Sequence, residues 1–310
     1  MSQRQITVCE VGPRDGLQMA RQQMSTAVKS QWIRQLAAAG LKEIEVGSFV
    51  STRLVPQMAD TALVVQDALG IEGLTVCALA ANLKGAVGAY ASGAHVLSIP
   101  ISVSETHSRA NVNKGTYAQV EEVMLIVNWV RAQPRPMRID AAVATAFGCS
   151  LEGEVERHRV TEVALALART GVDDIALADT VGYANPAQVR LVIRAVQDVV
   201  GGKLKKLHLH DTMGLGLANA VAGLEEGIRS FDSCLGGLGG CPFAPNASGN
   251  VVTEDLVFML ESMQYDTGIK LPQLIAARSL LAKALPEEKL RSGVAAAGIP
   301  KTFRPQTRAL

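Results

Sequence analysis

The chain is short of aromatic residues, has no excess of either charge and lacks a long apolar run. Phe, Trp and Tyr make up 4% of its 310 residues, a composition that suits helices packed closely on a parallel sheet. Its 30 basic residues balance 29 acidic ones, which argues against a nucleic-acid surface or an acidic tail. No segment approaches the ~18 uninterrupted apolar residues of a membrane span, and the N-terminus has no apolar leader. We therefore expect a cytoplasmic protein that binds neither nucleic acid nor membrane.

Cysteine is also scarce, and its arrangement excludes two further classes. The five cysteines form an odd set without a Cys-x-x-Cys pair, so neither a disulfide framework nor a zinc knuckle is indicated. We expect most of them to be buried free thiols. They are Cys9, Cys77, Cys149, Cys234 and Cys241.

Short apolar segments alternate with longer amphipathic ones along most of the chain. The strand-like segments end near residues 10, 46, 80, 101, 144, 178, 210 and 235. The helix-like segments cover residues 27–39, 57–69, 82–91, 116–132, 153–169, 186–200, 214–227 and 251–263. Eight β-then-α units with no gap for a separate domain predict an α/β protein with the (β/α)8 TIM barrel fold.

Two helix starts carry capping signals, and the C-terminal region extends the barrel. Asn185 before Pro186 is a predicted N-cap, and Thr116 has capping-box spacing to Gln119. A further helix over 271–285 is expected to be a C-terminal helical extension of the barrel. We predict a catalytic domain over 1–285 and a tail over 286–310, poorly constrained from residue 292.

The most informative stretch contains His208 and His210 at the end of the seventh strand. Side chains alternate faces along a strand, so both imidazoles lie on one face. A histidine pair can also serve packing, but this one precedes a Gly-rich turn and a helix, where α/β proteins keep their chemistry. With only five histidines in the chain, the pair is better explained as half of a metal site.

Other polar residues follow strands and should meet at the same rim. Arg14 and Asp15 come after the first strand, where they can serve a developing oxyanion and a cation, although such a dipeptide is usually a surface ion pair. Glu45 ends the second strand and would place a second carboxylate at this rim. Alternatively, it only forms a buried salt bridge with Arg14. Asp179 opens an Asp-Thr pair that Asp211 repeats, and helix capping would explain both.

A glycine-rich segment follows the eighth strand. Four glycines in residues 236–240 precede Cys241, which makes a loop able to swing. The thiol would then supply or accept a proton when the loop closes. Asn250, near the last barrel helix, is either an N-cap or a metal ligand. With Asp15, His208 and His210 it offers oxygen and nitrogen donors without thiolate, which suit Mg2+ or Mn2+ better than Zn2+, although Zn2+ stays open.

Four separated motifs resemble the 3-hydroxy-3-methylglutaryl-CoA (HMG-CoA) lyases, which are metal-dependent barrel enzymes. The motifs lie at residues 11–18, at 45–51 with 55–58, at 208–212, and at 237–242 with 247–250. The resemblance implies cleavage of an acyl-CoA thioester to acetyl-CoA and acetoacetate, and we expect a homo-oligomer.

The same resemblance implies roles for the metal ligands and for three catalytic residues. The divalent cation is assigned to Asp15, His208, His210 and Asn250. Among the catalytic residues, it assigns Arg14 to the enolate oxygen, Glu45 to the support of Arg14, and the mobile thiol to Cys241. Asp179 is a further catalytic candidate because of its place after the sixth strand. We also expect Arg14, Gln18 and Ser48 to bind the substrate.

Two departures from the family pattern leave the acyl group open. Leu54 stands where the family commonly has Trp, and Leu151 where it commonly has Tyr, which could reshape the pocket around the tertiary carbon. One alternative is a lyase for citramalyl-CoA or a longer-branched glutaryl-CoA. A condensing synthase of the isopropylmalate or homocitrate type is another, disfavoured by the cysteine loop. A barrel that only binds a structural metal would need neither Arg14 nor a mobile thiol.

Overall fold

Eight parallel strands form a closed barrel in chain order, as the alternation predicts. The computed structural model describes residues 4–240 and 249–305. Each strand pairs with the next, and β8 pairs with β1 to close the ring. The strands are β1 Thr7–Glu10, β2 Glu43–Ser48, β3 Thr75–Leu79, β4 Val96–Ser102, β5 Arg138–Ala144, β6 Asp174–Asp179, β7 Leu204–Leu209 and β8 Ser230–Ser233.

Helices connect the strands and cover the outside of the barrel. They are α1 Thr26–Ala38, α2 Thr61–Leu69, α3 Leu83–Ala91, α4 Glu105–Val112, α5 Thr116–Arg131, α6 Arg157–Thr170, α7 Pro186–Val200, α8 Gly216–Glu225, α9 Thr253–Ser262, α10 Leu271–Ala284 and α11 Gly293–Ala297. The core lies between the strands and this layer, where Trp32 and Leu36 of α1 and Ile99 and Ile101 of β4 are fully buried. No helix in the described ranges is long and apolar enough to cross a bilayer.

Helix α4 was not among the predicted elements, and its first residue contacts the start of α5. Ser104 caps α4 by accepting a hydrogen bond from the His107 amide at 3.1 Å. The Glu105 carboxylate then accepts the Thr116 amide at 2.8 Å, and the Thr116 hydroxyl donates to the Ser102 carbonyl at 2.9 Å. Thr116 is therefore the first residue of α5 and not its predicted cap. The Asn185 cap is confirmed, since its side chain accepts the Gln188 amide at 3.0 Å.

The C-terminal extension packs on the barrel as predicted, but the tail after it is not loose. Helix α10 lies against α1. Asp255 of α9 accepts hydrogen bonds from the Ser292 hydroxyl at 2.8 Å and the Val294 amide at 2.9 Å. The rings of Phe258 and Phe303 lie 5.2 Å apart. The expectation of a poorly constrained segment from residue 292 is thus wrong up to residue 305, and the domain boundary at 285 stays a prediction.

Candidate active site

A single π-helical turn after β1 brings Arg14 and Asp15 to the carboxyl rim. The turn spans Gly12–Gly16, and the Val11 carbonyl accepts amides from Arg14 at 3.1 Å and Asp15 at 2.7 Å. Gly16 lies against the segment just after β8, because a Cβ there would stand 2.9 Å from the sulfur of Cys234. A larger residue would push the turn away from the barrel, so the glycine keeps both charged side chains at the rim.

The four predicted metal ligands lie together. The Asp15 Oδ2 atom is 3.7 Å from His210 Nε2 and 4.0 Å from His208 Nε2. Asn250 pairs with His210 through the backbone and donates its side-chain amide to Asp15 Oδ2 at 2.6 Å. One carboxylate, two imidazoles and one amide therefore converge from the turn after β1, the end of β7 and the segment before α9.

These groups fit a divalent cation. The side-chain oxygen of Asn250 is buried and has no hydrogen-bond partner among the described residues, so it remains available as a ligand. Burial acts to raise the pKa of Asp15, but Arg14, His210 and His208 outweigh it and hold this pKa well below its usual range. Asp15 is thus an ionised oxygen donor. The mixed oxygen and nitrogen set suits a divalent cation.

Arg14 joins the metal cluster to Glu45. Its Nε and Nη2 atoms lie 2.9 Å and 2.7 Å from Glu45 Oε2, and Nη1 contacts Asp15. Burial acts to lower the pKa of Arg14, and the two carboxylates raise it above its ordinary value. The predicted buried salt bridge between Glu45 and Arg14 is confirmed, and it holds the guanidinium beside the cluster. A catalytic role for Glu45 stays a prediction.

Asp179 holds a loop in the described structure. It is fully buried, and its carboxylate accepts the amides of Tyr183 at 3.0 Å and Ala184 at 3.1 Å. Asp211 similarly accepts the Gly216 amide at 2.8 Å. The repeated Asp-Thr pairs thus organise the turns before α7 and α8, and a catalytic role for Asp179 stays a prediction.

The remaining predicted site residues lie near the rim or outside the described structure. Ser48 ends β2, and its buried hydroxyl has no hydrogen-bond partner within the described ranges. Gln18 is half-buried just after the π-helical turn. Cys241 lies outside the described residues. The loop leading to it approaches the ligands, because a Cβ on Gly239 would stand 3.4 Å from the Asn250 amide nitrogen.

Strands β5 and β6 present a wall of small side chains to the barrel lumen. On β6, two alanines pair in register with His208 and Lys206, whose side chains enter the lumen. On β5, two more follow Asp140 at two-residue steps and so share its face. The four are Ala142, Ala144, Ala176 and Ala178. Interiors of such barrels are usually filled by bulky branched residues. Ala144 and Ala178 are level with His208, so small side chains line the lumen beside this predicted ligand.

Glu10 is a buried carboxyl group that sequence reasoning did not select. Its oxygens accept the amides of Gly12 at 3.0 Å and Leu235 at 2.8 Å and the hydroxyl of Thr253 at 2.7 Å. It ties the π-helical turn to the segments after β8 and before α9. The only feature of the sequence that could have selected Glu10 is its place directly before the Val-Gly-Pro-Arg-Asp segment. Burial raises the pKa of Glu10 from 4.5 to about 8, despite these hydrogen bonds.

We expect Glu10→Gln to remove one component of the pH dependence of stability. Because folding raises this pKa, the folded chain binds the proton more tightly. The Glu10 contribution is therefore complete below pH 4.5 and is lost as pH rises to about 8. At ~1.4 kcal/mol per pKa unit, the loss is on the order of a few kcal/mol. Urea unfolding at a series of pH values measures it. The exposed Glu72→Gln should follow the wild-type curve, and a Glu10→Gln curve parallel to wild type would contradict the expectation.

Comparison with known proteins identifies the family. The HMGL-like family model matches residues 5–281. A hydroxymethylglutaryl-CoA lyase of Bacillus subtilis is 39% identical over 292 residues, covering 93% of this chain and 97% of that one. A Pseudomonas aeruginosa 3-hydroxy-3-isohexenylglutaryl-CoA/hydroxy-methylglutaryl-CoA lyase is 37% identical, covering 91% and 99%. The structure of an Acinetobacter baumannii HMG-CoA lyase with coenzyme A and 3-methylmalate is 37% identical, covers 98% and 99%, and gives a TM-score of 0.92. This chain belongs to the HMGL-like family.

Proposed function

We propose that this protein is a divalent-metal-dependent lyase that cleaves HMG-CoA to acetyl-CoA and acetoacetate. The observation that carries the proposal is the convergence of Asp15, His208, His210 and Asn250 beside the buried Arg14 at the carboxyl rim. Relatives named as HMG-CoA lyases support the same reaction.

The cation would act on the part of the substrate that becomes the ketone, and Arg14 and Cys241 act on the part that becomes acetyl-CoA. A bound Mg2+ or Mn2+ would lower the pKa of the substrate's tertiary hydroxyl, which must pass its proton to a general base as the ketone forms. When the carbon–carbon bond breaks, its electron pair passes to the acetyl-CoA enolate. The Arg14 guanidinium stabilises the enolate oxygen, and Glu45 holds the guanidinium in place. Cys241 then donates a proton to the enolate carbon.

A thioester panel tests the reaction. Purified protein with Mg2+ should release acetyl-CoA and acetoacetate from HMG-CoA, and chelation should stop the release. Consumption of acetyl-CoA with a keto acid, and no cleavage of any tertiary 3-hydroxy-acyl-CoA, would instead show a condensing synthase. No reaction in either direction would contradict an enzymatic role.

A longer-branched substrate is the second candidate, and the alanine wall of β5 and β6 favours it. Small side chains beside His208 would accommodate a substituent larger than methyl on the tertiary carbon. The name of the Pseudomonas relative indicates such a substrate for that protein. Ala144→Phe should then lower kcat/KM for a longer-branched thioester more than for HMG-CoA. Equal losses would count against this use of the wall.

A thiol-directed reagent should inactivate the enzyme through Cys241. The other four cysteines are buried free thiols. Burial raises the pKa of Cys77 and Cys234, and a hydrogen bond to Cys77 together with burial raises that of Cys9. All four should therefore react slowly.

Peptide mass spectrometry after partial alkylation measures the site of modification. A substrate analogue should protect the thiol, and Cys241→Ser should keep metal binding but lose turnover. Modification elsewhere with a fully active serine variant would contradict the mechanism. The homo-oligomeric state and the cytoplasmic location stay predictions, and the curated relatives include cytoplasmic and mitochondrial enzymes.

A further inference from the structure

A network of charged side chains fills the barrel lumen below the proposed metal ligands. Lys206 of β7 lies 2.8 Å from Glu43 of β2 and 3.3 Å from Asp232 of β8. Arg138 of β5 pairs with Glu43 and with Asp140, both at 3.0 Å. Removing such charges from water costs free energy that apolar residues of similar volume would not cost. The network is therefore poorly explained by stability alone.

One end of the network contacts a metal ligand. His208 and Asp232 are register partners on β7 and β8, and His208 Nδ1 lies 3.1 Å from Asp232 Oδ2. If Nδ1 carries the ring proton and donates it to this carboxylate, the Nε2 lone pair faces Asp15 and is free to bind a cation. The other carboxylate oxygen, Oδ1, faces the Lys206 ammonium.

The second histidine is held in another way. His210 Nδ1 is buried and has no hydrogen-bond partner in the described part of the chain. Its position depends on the backbone, where its amide donates to the Asp179 carbonyl at 3.3 Å and its residue pairs with Asn250. The side-chain network thus orients one of the two imidazoles only.

We propose that Asp232 and Lys206 are positioning residues that fix the Nδ1–H tautomer of His208 and so set the cation affinity of the site. The lysine is essential to this role because its ammonium forms an ion pair with Asp232 Oδ1 at 3.3 Å and, having no acceptor atom, attracts an oxygen and not an NH2 group. Lys206 therefore orients Oδ1 of Asp232 toward its ammonium, and the second carboxylate oxygen, Oδ2, remains available to accept the His208 Nδ1 proton. The inference rests on the proposed metal centre.

In the Asp232→Asn variant, Lys206 should stabilise the orientation of residue 232 that is wrong for metal binding. Lys206 would hold the asparagine oxygen, so the amide NH2 would face His208 Nδ1 and drive the ring proton to Nε2. The same substitution beside a catalytic histidine in serine proteases keeps the geometry and leaves the wrong tautomer. The Asp232→Asn, Lys206→Gln double variant keeps the net charge of the network but frees the asparagine to turn its oxygen toward His208.

Mn2+ binding to the full chain, followed by electron paramagnetic resonance, measures the effect without substrate. We expect Asp232→Asn to weaken binding roughly 10–100-fold and the double variant to recover most of that loss. Asp140→Asn is the matched control, because Asp140 bonds to Arg138 and does not contact His208. It should bind Mn2+ as wild type does. A double variant as weak as the single one, or an equal loss in Asp140→Asn, would overturn the proposal.

Histidine tautomers in the apoprotein give an independent readout. Long-range 1H–15N correlation spectra in alkaline buffer should show His208 with Nδ1–H in wild type and the double variant, and with Nε2–H in Asp232→Asn. An unchanged tautomer in Asp232→Asn would also overturn the proposal. If the wild-type chain bound no Mn2+, the metal centre itself would be wrong, and the spectra would still decide whether Asp232 and Lys206 control the tautomer.

Discussion

Arg14→Lys should lower kcat by roughly 10²–10³-fold, the cost of removing one oxyanion donor in other enzymes. Arg14 contacts Glu45 through Nε and Nη2 and Asp15 through Nη1. A lysine keeps the positive charge but cannot reproduce this planar arrangement of donors. KM for the thioester should change little, because the interaction is made with charge that develops in the transition state. Steady-state kinetics with HMG-CoA measures both parameters.

Arg194→Lys is the matched control for this substitution. Arg194 also forms a two-pronged pair with a glutamate, Glu226, but on the exposed surface of α7. Its kinetics should equal those of wild type. If Arg14→Lys raised KM and left kcat near normal, Arg14 would serve ground-state binding of the thioester and not the enolate.

His210→Ala should abolish tight binding of the divalent cation. The loss should exceed the roughly 10–100-fold that removal of an outer-shell partner costs, because a direct ligand disappears. His208 cannot replace it, since its own Nε2 already faces the same Asp15 oxygen from the previous lumen-facing position on β7. Isothermal titration with Mg2+ or Mn2+ measures the affinity. The little activity that remains in His210→Ala should not depend on added chelator.

His158→Ala controls for the loss of an imidazole. His158 lies on α6 with its side chain 62% exposed and pairs with Glu156, far in the chain from every proposed ligand. It should bind metal and turn over substrate as wild type does. Normal metal binding by His210→Ala would show that the proposed ligand set is wrong.

The barrel and two of the four candidate metal ligands followed from local patterns in the sequence. Strand and helix periodicities are properties of short segments, so eight alternating units could be counted without knowing how they meet. The strand period of two likewise placed His208 and His210 on one face. Asn185 could be predicted as a cap because its partner, Gln188, is three residues away and no distant group competes.

Predictions failed where a distant or weakly patterned segment decided the outcome. Thr116 has the right spacing for a cap, but the Glu105 carboxylate takes its amide, and Glu105 lies on the polar helix α4, which has little apolar periodicity to reveal it. The tail from residue 292 was expected to be poorly constrained because it is rich in Gly, Pro and basic residues. Asp255 on α9 supplies the acceptors that order it.

The sequence by itself determined the eight-unit barrel, the pair of imidazoles on one strand face and the donor types available for a cation. Only the tertiary structure decided which distant residues share the lumen. Closure of β8 on β1 brings Glu10 to Thr253 and Asp15 to the β7 histidines, and the register of β7 with β8 sets Asp232 against His208. Local periodicity carries no information about such contacts, because they depend on how all eight strands tilt and close into one ring.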